Sequence, residues 1–277
     1  MTMQMSMPPG MFNRNKLAVP GTPAGDAARD QFISDILTIC GDVRFLYVPD
    51  LGDTTTSTSD DLNARTITHA VSQAGRMSIQ GSGVLESFDG AADYSSMPDA
   101  DNLSFGDGAN DQAMSGFVLA TPTDIATWRW LFAKKLDTTG VEVREFGFGI
   151  DTADKLILEL WDESANAIIA NKFNTALTMA TQQLLGYTYD GSRANSGIVL
   201  YRNATALAFH AGTTTGTYVA MEPSTDVLHM GANTGAAAIG SYYSGTMGVR
   251  CLTAKVLTAV DHWNIKAAVN AFYGTSL

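Results

Sequence analysis

The stretch from Phe88 to Gly106, FDGAADYSSMPDADNLSFG, leaves the chain little choice of fold. Its apolar anchors Phe88, Tyr94, Leu103 and Phe105 are separated by Asp, Gly, Asn, Ser and Pro, the residues that interrupt helices and build tight turns between short strands. Asp-Gly pairs at 89–90, 107–108 and 190–191 supply positions that tolerate positive φ. Turn-dense β structure follows.

The centre of the chain keeps the same rhythm. Strand-like runs at Val141, Val143, Phe146 and Phe148, then Leu156, Leu158 and Leu160, then Ile168, Ile169 and Phe173, then Leu184, Leu185, Tyr187 and Tyr189, then Ile198, Leu200 and Tyr201, recur about every ten to fifteen residues, as in a two-sheet sandwich. Val227–Gly231 and Gly248–Val256 continue the pattern. After Thr258 the period turns helical, with Val260, Trp263, Ile265, Ala268, Val269 and Phe272 stopped by Gly274.

Four of the eight prolines, Pro8, Pro9, Pro20 and Pro23, fall in the first 28 residues among several glycines. Such a segment reads as an extended arm. Asp26 or Asp30 then caps a short helix through about Thr38, with Phe32, Ile33, Ile36 and Leu37 at helical spacing. The expected organisation is therefore an arm over 1–28, a helix, strand and loop over 29–83, an antiparallel jelly-roll sandwich over 84–257, and a helix and tail over 258–277.

Charge and composition narrow the function. A net charge of −11 with only 17 Lys and Arg provides no cationic surface for phosphate, so nucleic acid is not an expected partner. No run of 18 apolar residues is long enough to span a bilayer, and the first 21 residues lack the apolar core of an export signal. Cys40 and Cys251 are too few for a disulfide framework or a zinc site; they read as two buried thiols or as one bridge from the N-terminal segment to the last strand.

Position by position, Phe88, Asp89, Gly90, Asp93 and Tyr94, then Leu103, Ser104, Phe105 and Gly106, then Tyr189, Asp190 and Gly191, then Leu200, Tyr201 and Asn203 resemble the motifs of the laminin G-like, concanavalin A-type jelly roll over roughly residues 84–258. Ala204 stands where that family usually has glycine, and Gly248 stands where an acidic residue often precedes the closing strand. With the hydroxyl-rich run DTTTSTSDDLN ahead of it, the chain is similar to jelly-roll proteins encoded by tailed bacteriophages. That resemblance implies a virion protein made in the host cytoplasm. Its motifs specify strands and turns, and so speak to fold more than to function.

Several constellations could carry chemistry. Asp99, Asp101, Asp107 and Asp111, with Asn110, form the densest acidic cluster; oxygen ligands crowded on Gly-containing loops are what calcium requires, and the plainer reading is turn acids capping backbone amides. Glu159, Asp162 and Glu163 superficially resemble the paired carboxylates of a retaining glycosidase, but 159 and 163 share a strand face that Asp162 opposes. His69, His210, His229 and His262 are scattered without metal-ligand spacing. Trp128, Tyr242 and Tyr243, with Trp130 and Trp161, are candidates for stacking on sugar rings; adjacent Tyr242 and Tyr243 must point to opposite faces. Pro8, Pro9, Phe12 and Pro20 are the candidate assembly residues of the arm.

The expected function is that of a non-enzymatic bacteriophage structural protein. It would decorate the head, contact the major capsid protein and neighbouring copies of itself, and form a closed oligomer such as a trimer. The alternatives are a carbohydrate-binding tail or fibre adhesin directed at cell-surface glycan, and a glycan hydrolase or lyase. No organic cofactor is expected.

Overall fold

The protein, as a computed structural model, is described at residues 23–53, 56–62, 64–70, 75–123, 127–138, 141–208, 212–234 and 239–277. Two antiparallel sheets face each other, and helices α1 (Pro23–Cys40) and α2 (Ala259–Tyr273) cover the outside of one of them. The layers therefore run helices, first sheet, second sheet.

The first sheet runs in the order Thr205–Ala206, Ile198–Arg202, Gln183–Tyr189, Met114–Pro122, Ser244–Thr253, Gly83–Asp89 and Met77–Gln80. Val43–Tyr47 is its eighth strand. It pairs with the second half of Ser244–Thr253, beyond the half that pairs with Gly83–Asp89. The sandwich thus begins at Val43 and not at residue 84, because the ten-residue strand Ser244–Thr253 offers one long edge that two shorter strands fill end to end.

The second sheet runs Thr213–Thr215, Ala167–Lys172, Leu156–Asp162, Val141–Ile150, Arg129–Thr138, Leu228–Met230, Ser95–Met97, Thr66–His69 and Ser57–Ser59. Asn233–Thr234 adds a short parallel pairing to Arg129–Thr138, and Ile239–Gly240 pairs with it in turn.

Side-chain alternation explains the layering. Along Met114–Pro122, Val118 and Ala120 enter the core between the sheets, while Phe117 and Leu119 face the helices. Met247 and Leu252 of Ser244–Thr253 likewise point inward, and Val249 and Cys251 point to the helix side. Met114–Pro122 is buried on both faces and so carries the continuous apolar run Phe117-Val118-Leu119-Ala120.

Helix α1 starts at Pro23, inside the expected arm, and is longer than the spacing predicted; proline is tolerated in a first helical turn, where its missing N–H costs nothing. Its Phe32 ring stacks on Phe272 of α2 with centroids 4.4 Å apart. Helix α2 opens with a capping box: the Thr258 hydroxyl accepts from the Asp261 amide at 3.2 Å, and the Asp261 carboxylate accepts from the Thr258 amide at 2.8 Å. Gly274, at φ 63°, closes it. Residues 1–22, with Pro8, Pro9, Phe12 and Pro20, lie outside the described residues.

The three Asp-Gly pairs do one job. Asp89 accepts from the amides of Ala91 and Ala92, Asp107 from those of Ala109 and Asn110, and Asp190 from that of Ser192, while Gly90, Gly108 and Gly191 take φ of 76°, 79° and 79°. The motif residues behind the family resemblance are thus turn builders. Where the glycine is missing, Ala204 is still held at φ 65°, a left-handed conformation that costs roughly 1–2 kcal/mol with a Cβ present.

A buried ion pair lies on the inner face of the first sheet. Arg250, fully buried, donates to Glu86, and its guanidinium lies 5.2 Å from the ring centres of both Tyr47 and Phe88. Burial works against the Glu86 charge, yet Arg250 and the hydrogen-bonded His69 imidazole hold its carboxyl at about 2. His69 belongs to the second sheet, so the cluster ties the two sheets together. Cys40 and Cys251 are free thiols buried under the helix layer; burial pushes the Cys251 thiol up, with Cys40 hydrogen-bonded beside it.

Candidate functional site

Of the four sheet faces, two make the inner core and one lies under α1 and α2. Among the described residues the outer face of the second sheet is the open one, and three of the four tryptophans of the chain gather on it. Polar residues would be expected there. Instead Trp130, Ala133 and Trp161 form a small apolar cluster of their own, with Trp128 and Ile168 packed against it.

Two β-bulges aim these side chains. The register of Arg129–Thr138 against Val141–Ile150 shifts between Trp130 and Phe132, so that both Leu131 and Phe132 enter the inner core while Trp130 stays outside. At the second shift, Lys134/Lys135, Glu145 is the extra residue of Val141–Ile150: it turns inward beside Phe146, 3.0 Å from the inward Lys134, while Lys135 and Arg144 stay outside. On the neighbouring strand Phe146 and Phe148 point in, which places Gly147 and Gly149 on the outer face. Trp130 lies flat across these glycines: a Cβ at Gly147 would come within 2.5 Å of its ring.

The ring geometry is layered. Trp128 stacks on Trp130 with centroids 5.6 Å apart and planes 19° apart, and Trp130 meets Trp161 edge-on at 6.3 Å. The Lys135 ammonium sits 4.9 Å from the Trp130 ring centre and 4.5 Å from that of Trp161. The Arg144 guanidinium stands 6.0 Å from the Trp161 ring. Trp130 and Trp161 are consequently buried, and half-buried Trp128 is the ring at the surface. Arg144 donates two bonds to Glu163, at 2.8 and 3.0 Å, and lies 2.7 Å from Glu142. Glu159, between Gly147 and Ala170 in register, completes the rim.

This surface can place an indole against the apolar face of a sugar ring while carboxylates and amines bind its hydroxyls. Among the sequence candidates, Trp128 belongs to it. Tyr243 does not: it is fully buried against Phe88, donating its hydroxyl to the Thr246 carbonyl at 3.1 Å, and presents no ring face to a ligand. Tyr242 is half-buried, with its ring 6.2 Å from that of Tyr94.

The four candidate calcium ligands do not converge. Asp99 pairs with Lys134 at 2.9 Å, Asp101 opens a 3-10 turn, Asp107 caps its own turn, and Asp111 accepts from Tyr189, Tyr218 and the Met221 amide. Among the described residues no three His, Cys, Asp or Glu side chains are grouped to hold a metal. Asp162 is buried and accepts from the amides of Ala165 and Val219; burial opposes its charge, but these amides hold its carboxyl below the usual range. His229 and His262 are kept neutral by burial, each at about 4, and His210 lies outside the described residues.

Lys135 and Arg144 were missed because their positions depend on the bulges. The alternation Gly147-Phe148-Gly149 carried a readable signal, since strand glycines mark a close approach by something large.

No family profile matches the chain, and no curated protein matches it. Solved structures do share its fold. The binding domain of Paraclostridial Mosquitocidal Protein 1 is similar at a TM-score of 0.57 and 8% identity, covering 86% of this chain and 56% of that one. Domain 4 of a GH43 extracellular arabinanase from Geobacillus stearothermophilus, in complex with arabinotriose, is similar at 0.51 and 12% identity, covering 81% and 98%. Trypanosoma rangeli sialidase, in complex with sialic acid, is similar at 0.56 and 10% identity, and the chain spans 39% of its length. At these identities the likeness is one of fold, a lectin-like β-sandwich.

Proposed function

We propose that the chain is a non-enzymatic carbohydrate-binding domain carried on a bacteriophage particle, with its sugar seated on the open face of the second sheet. The observation that carries the sugar site is the gathering of Trp128, Trp130 and Trp161 on the sheet face that no described helix covers, under Lys135 and Arg144. The carboxylates that a hydrolase would need are otherwise engaged, Glu163 by Arg144 and Asp162 by backbone amides, which supports binding without cleavage. Trp128→Ala should abolish retardation of the protein in native gels cast with polysaccharide while leaving its unfolding midpoint nearly unchanged. Full retention of binding in that variant would remove the site.

The particle setting rests on the sequence resemblance around Phe88–Tyr94 and on the Pro- and Gly-rich first 22 residues. Within it, decoration of the head, with the major capsid protein and further copies of the chain as neighbours, is the leading placement. A tail or fibre position would make the same site an attachment device. Immunogold labelling of particles separates them: label over heads supports decoration, and label confined to tails supports the adhesin.

A further inference from the structure

The charges around the tryptophans say which sugars the face would accept, granted the glycan-binding reading above. Two cations stand at the tryptophan rings, Lys135 and Arg144, and neither is available to a ligand anion; a third on the face, Lys172, is paired with Asp151 at 3.1 Å. Arg144 is forked onto Glu163 and also held by Glu142 at 2.7 Å. Lys135 is lodged between two indole faces, at 4.9 and 4.5 Å from their centres. Against these two cations stand three carboxylates, Glu142, Glu159 and Glu163, and the chain as a whole carries −11.

A sugar carboxylate or sulfate arriving here meets a local excess of negative charge. To take Arg144 it must displace Glu163, which would leave that carboxylate packed against the sheet without a partner. A neutral sugar meets no such obstacle. Its C–H face stacks on Trp128, the one ring of the three at the surface, and its hydroxyls donate to carboxylate oxygens that are strong acceptors.

We infer that the open face selects neutral, hydroxyl-rich glycans and excludes uronic, sialylated and sulfated ones, through the pairing of Arg144 with Glu142 and Glu163. The two carboxylates act as a filter: they occupy the guanidinium that an acidic sugar would need.

The test is affinity electrophoresis at physiological salt in gels containing neutral arabinan, galactan or β-glucan, beside gels containing polygalacturonate, alginate or heparin. The wild-type protein, Trp128→Ala and the double variant Glu142→Gln/Glu163→Gln are compared. The expected result is retardation of the wild type by at least one neutral polymer, at least tenfold weaker retardation by the acidic ones, and loss of both in Trp128→Ala. The double variant should gain at least tenfold toward the acidic polymers, because Arg144 is released.

Wild-type retardation by acidic polymers that is as strong as by neutral ones, and that Trp128→Ala removes, would overturn the ligand class and leave the site standing. Retardation by none of the polymers would overturn the site and the class together. A double variant that remains folded, by circular dichroism, yet gains no acidic binding would overturn the filter.

Discussion

The two outer faces of the sandwich solve one problem in opposite ways. On the first sheet Phe117, Leu119, Val249 and Cys251 project outward and are met by Phe32, Ile36, Ile265, Val269 and Phe272 from two helices. On the second sheet the outward positions hold Trp130, Ala133 and Trp161 together with Gly147, Gly149 and Glu159, and among the described residues no helix covers them. Yet Trp130 is only 2% exposed. It is buried sideways, by lying along glycine backbone, by stacking under Trp128 and by carrying Lys135 on its face. Burial on the helix side is shared among many interlocking side chains across a layer boundary. Burial on the open side is built within one layer from a few large flat groups, which leaves a rim of charge and a free upper ring. Stability should therefore reside on the first face, and recognition on the second.

The largest expected effect tests the helix side. Phe117→Ala removes a fully buried ring from a central strand, where the surrounding layers cannot collapse, and should cost about 3–5 kcal/mol. Urea denaturation would report it, and retardation by polysaccharide should be unchanged in the fraction that stays folded. A loss under about 1 kcal/mol would mean that the helices rest loosely on the sheet and that the contrast between the faces is wrong.

A second, smaller effect comes from pH. His262 of α2 is stacked on Tyr201 at 3.7 Å, with its Nε2 3.2 Å from the Thr188 hydroxyl. Burial lowers its imidazole to about 4 against the neighbouring Asp261 charge, which favours protonation. The unfolded chain takes up the proton near pH 6.5, while the folded chain resists until about 4, so stability falls as pH drops through that window. At pH 4.5 the loss from this one group is about 2–3 kcal/mol. The window of Glu86 lies lower, below the ordinary carboxylate range and down to about 2, so its contribution is still largely present there. His262→Gln should remove its share of the slope between pH 7 and 4.5. Equal slopes in the two proteins would show that the layer under α2 admits water. His229, also near 4, lies in the second sheet and supplies a matched control.

Much of this fold was legible in the sequence because its turns are chemically explicit. Each Asp-Gly pair names a turn whose carboxylate caps the following amides, and the alternating Leu156, Leu158 and Leu160 point into the core as their spacing requires. The helix at the C-terminus was legible for the same reason, with Thr258, Asp261 and Gly274 at its ends. What was illegible depended on register. Trp130 faces outward while Leu131 and Phe132 both face inward, an arrangement that strict alternation forbids and a bulge permits. Tyr243 could be assigned to either face from sequence, and its burial follows from Gly245 at φ 131°, which lets the strand pass close to Thr121. The acids from Asp99 to Asp111 looked like a cluster because they are neighbours in the chain, but turns send neighbouring side chains in different directions.

The smallest effect bears on how the helix layer is held. If α2 owes its place mainly to the apolar contacts of Ile265, Val269 and Phe272, its first turn should be a minor contributor, and Thr258→Ala should cost about 1 kcal/mol. The substitution removes the hydroxyl that accepts from the Asp261 amide and keeps the Asp261 carboxylate on the residue 258 amide, so half of the reciprocal pair survives. Lys255 stays 3.2 Å from Asp261 and still donates to the Ile39 carbonyl at the end of α1. A loss of about 1 kcal/mol with an unchanged denaturant slope would fit a local fraying of one turn. A loss near that of Phe117→Ala would mean that the cap positions the whole helix, and that the closed face depends on a single hydrogen-bonded corner much as the open face depends on Trp130.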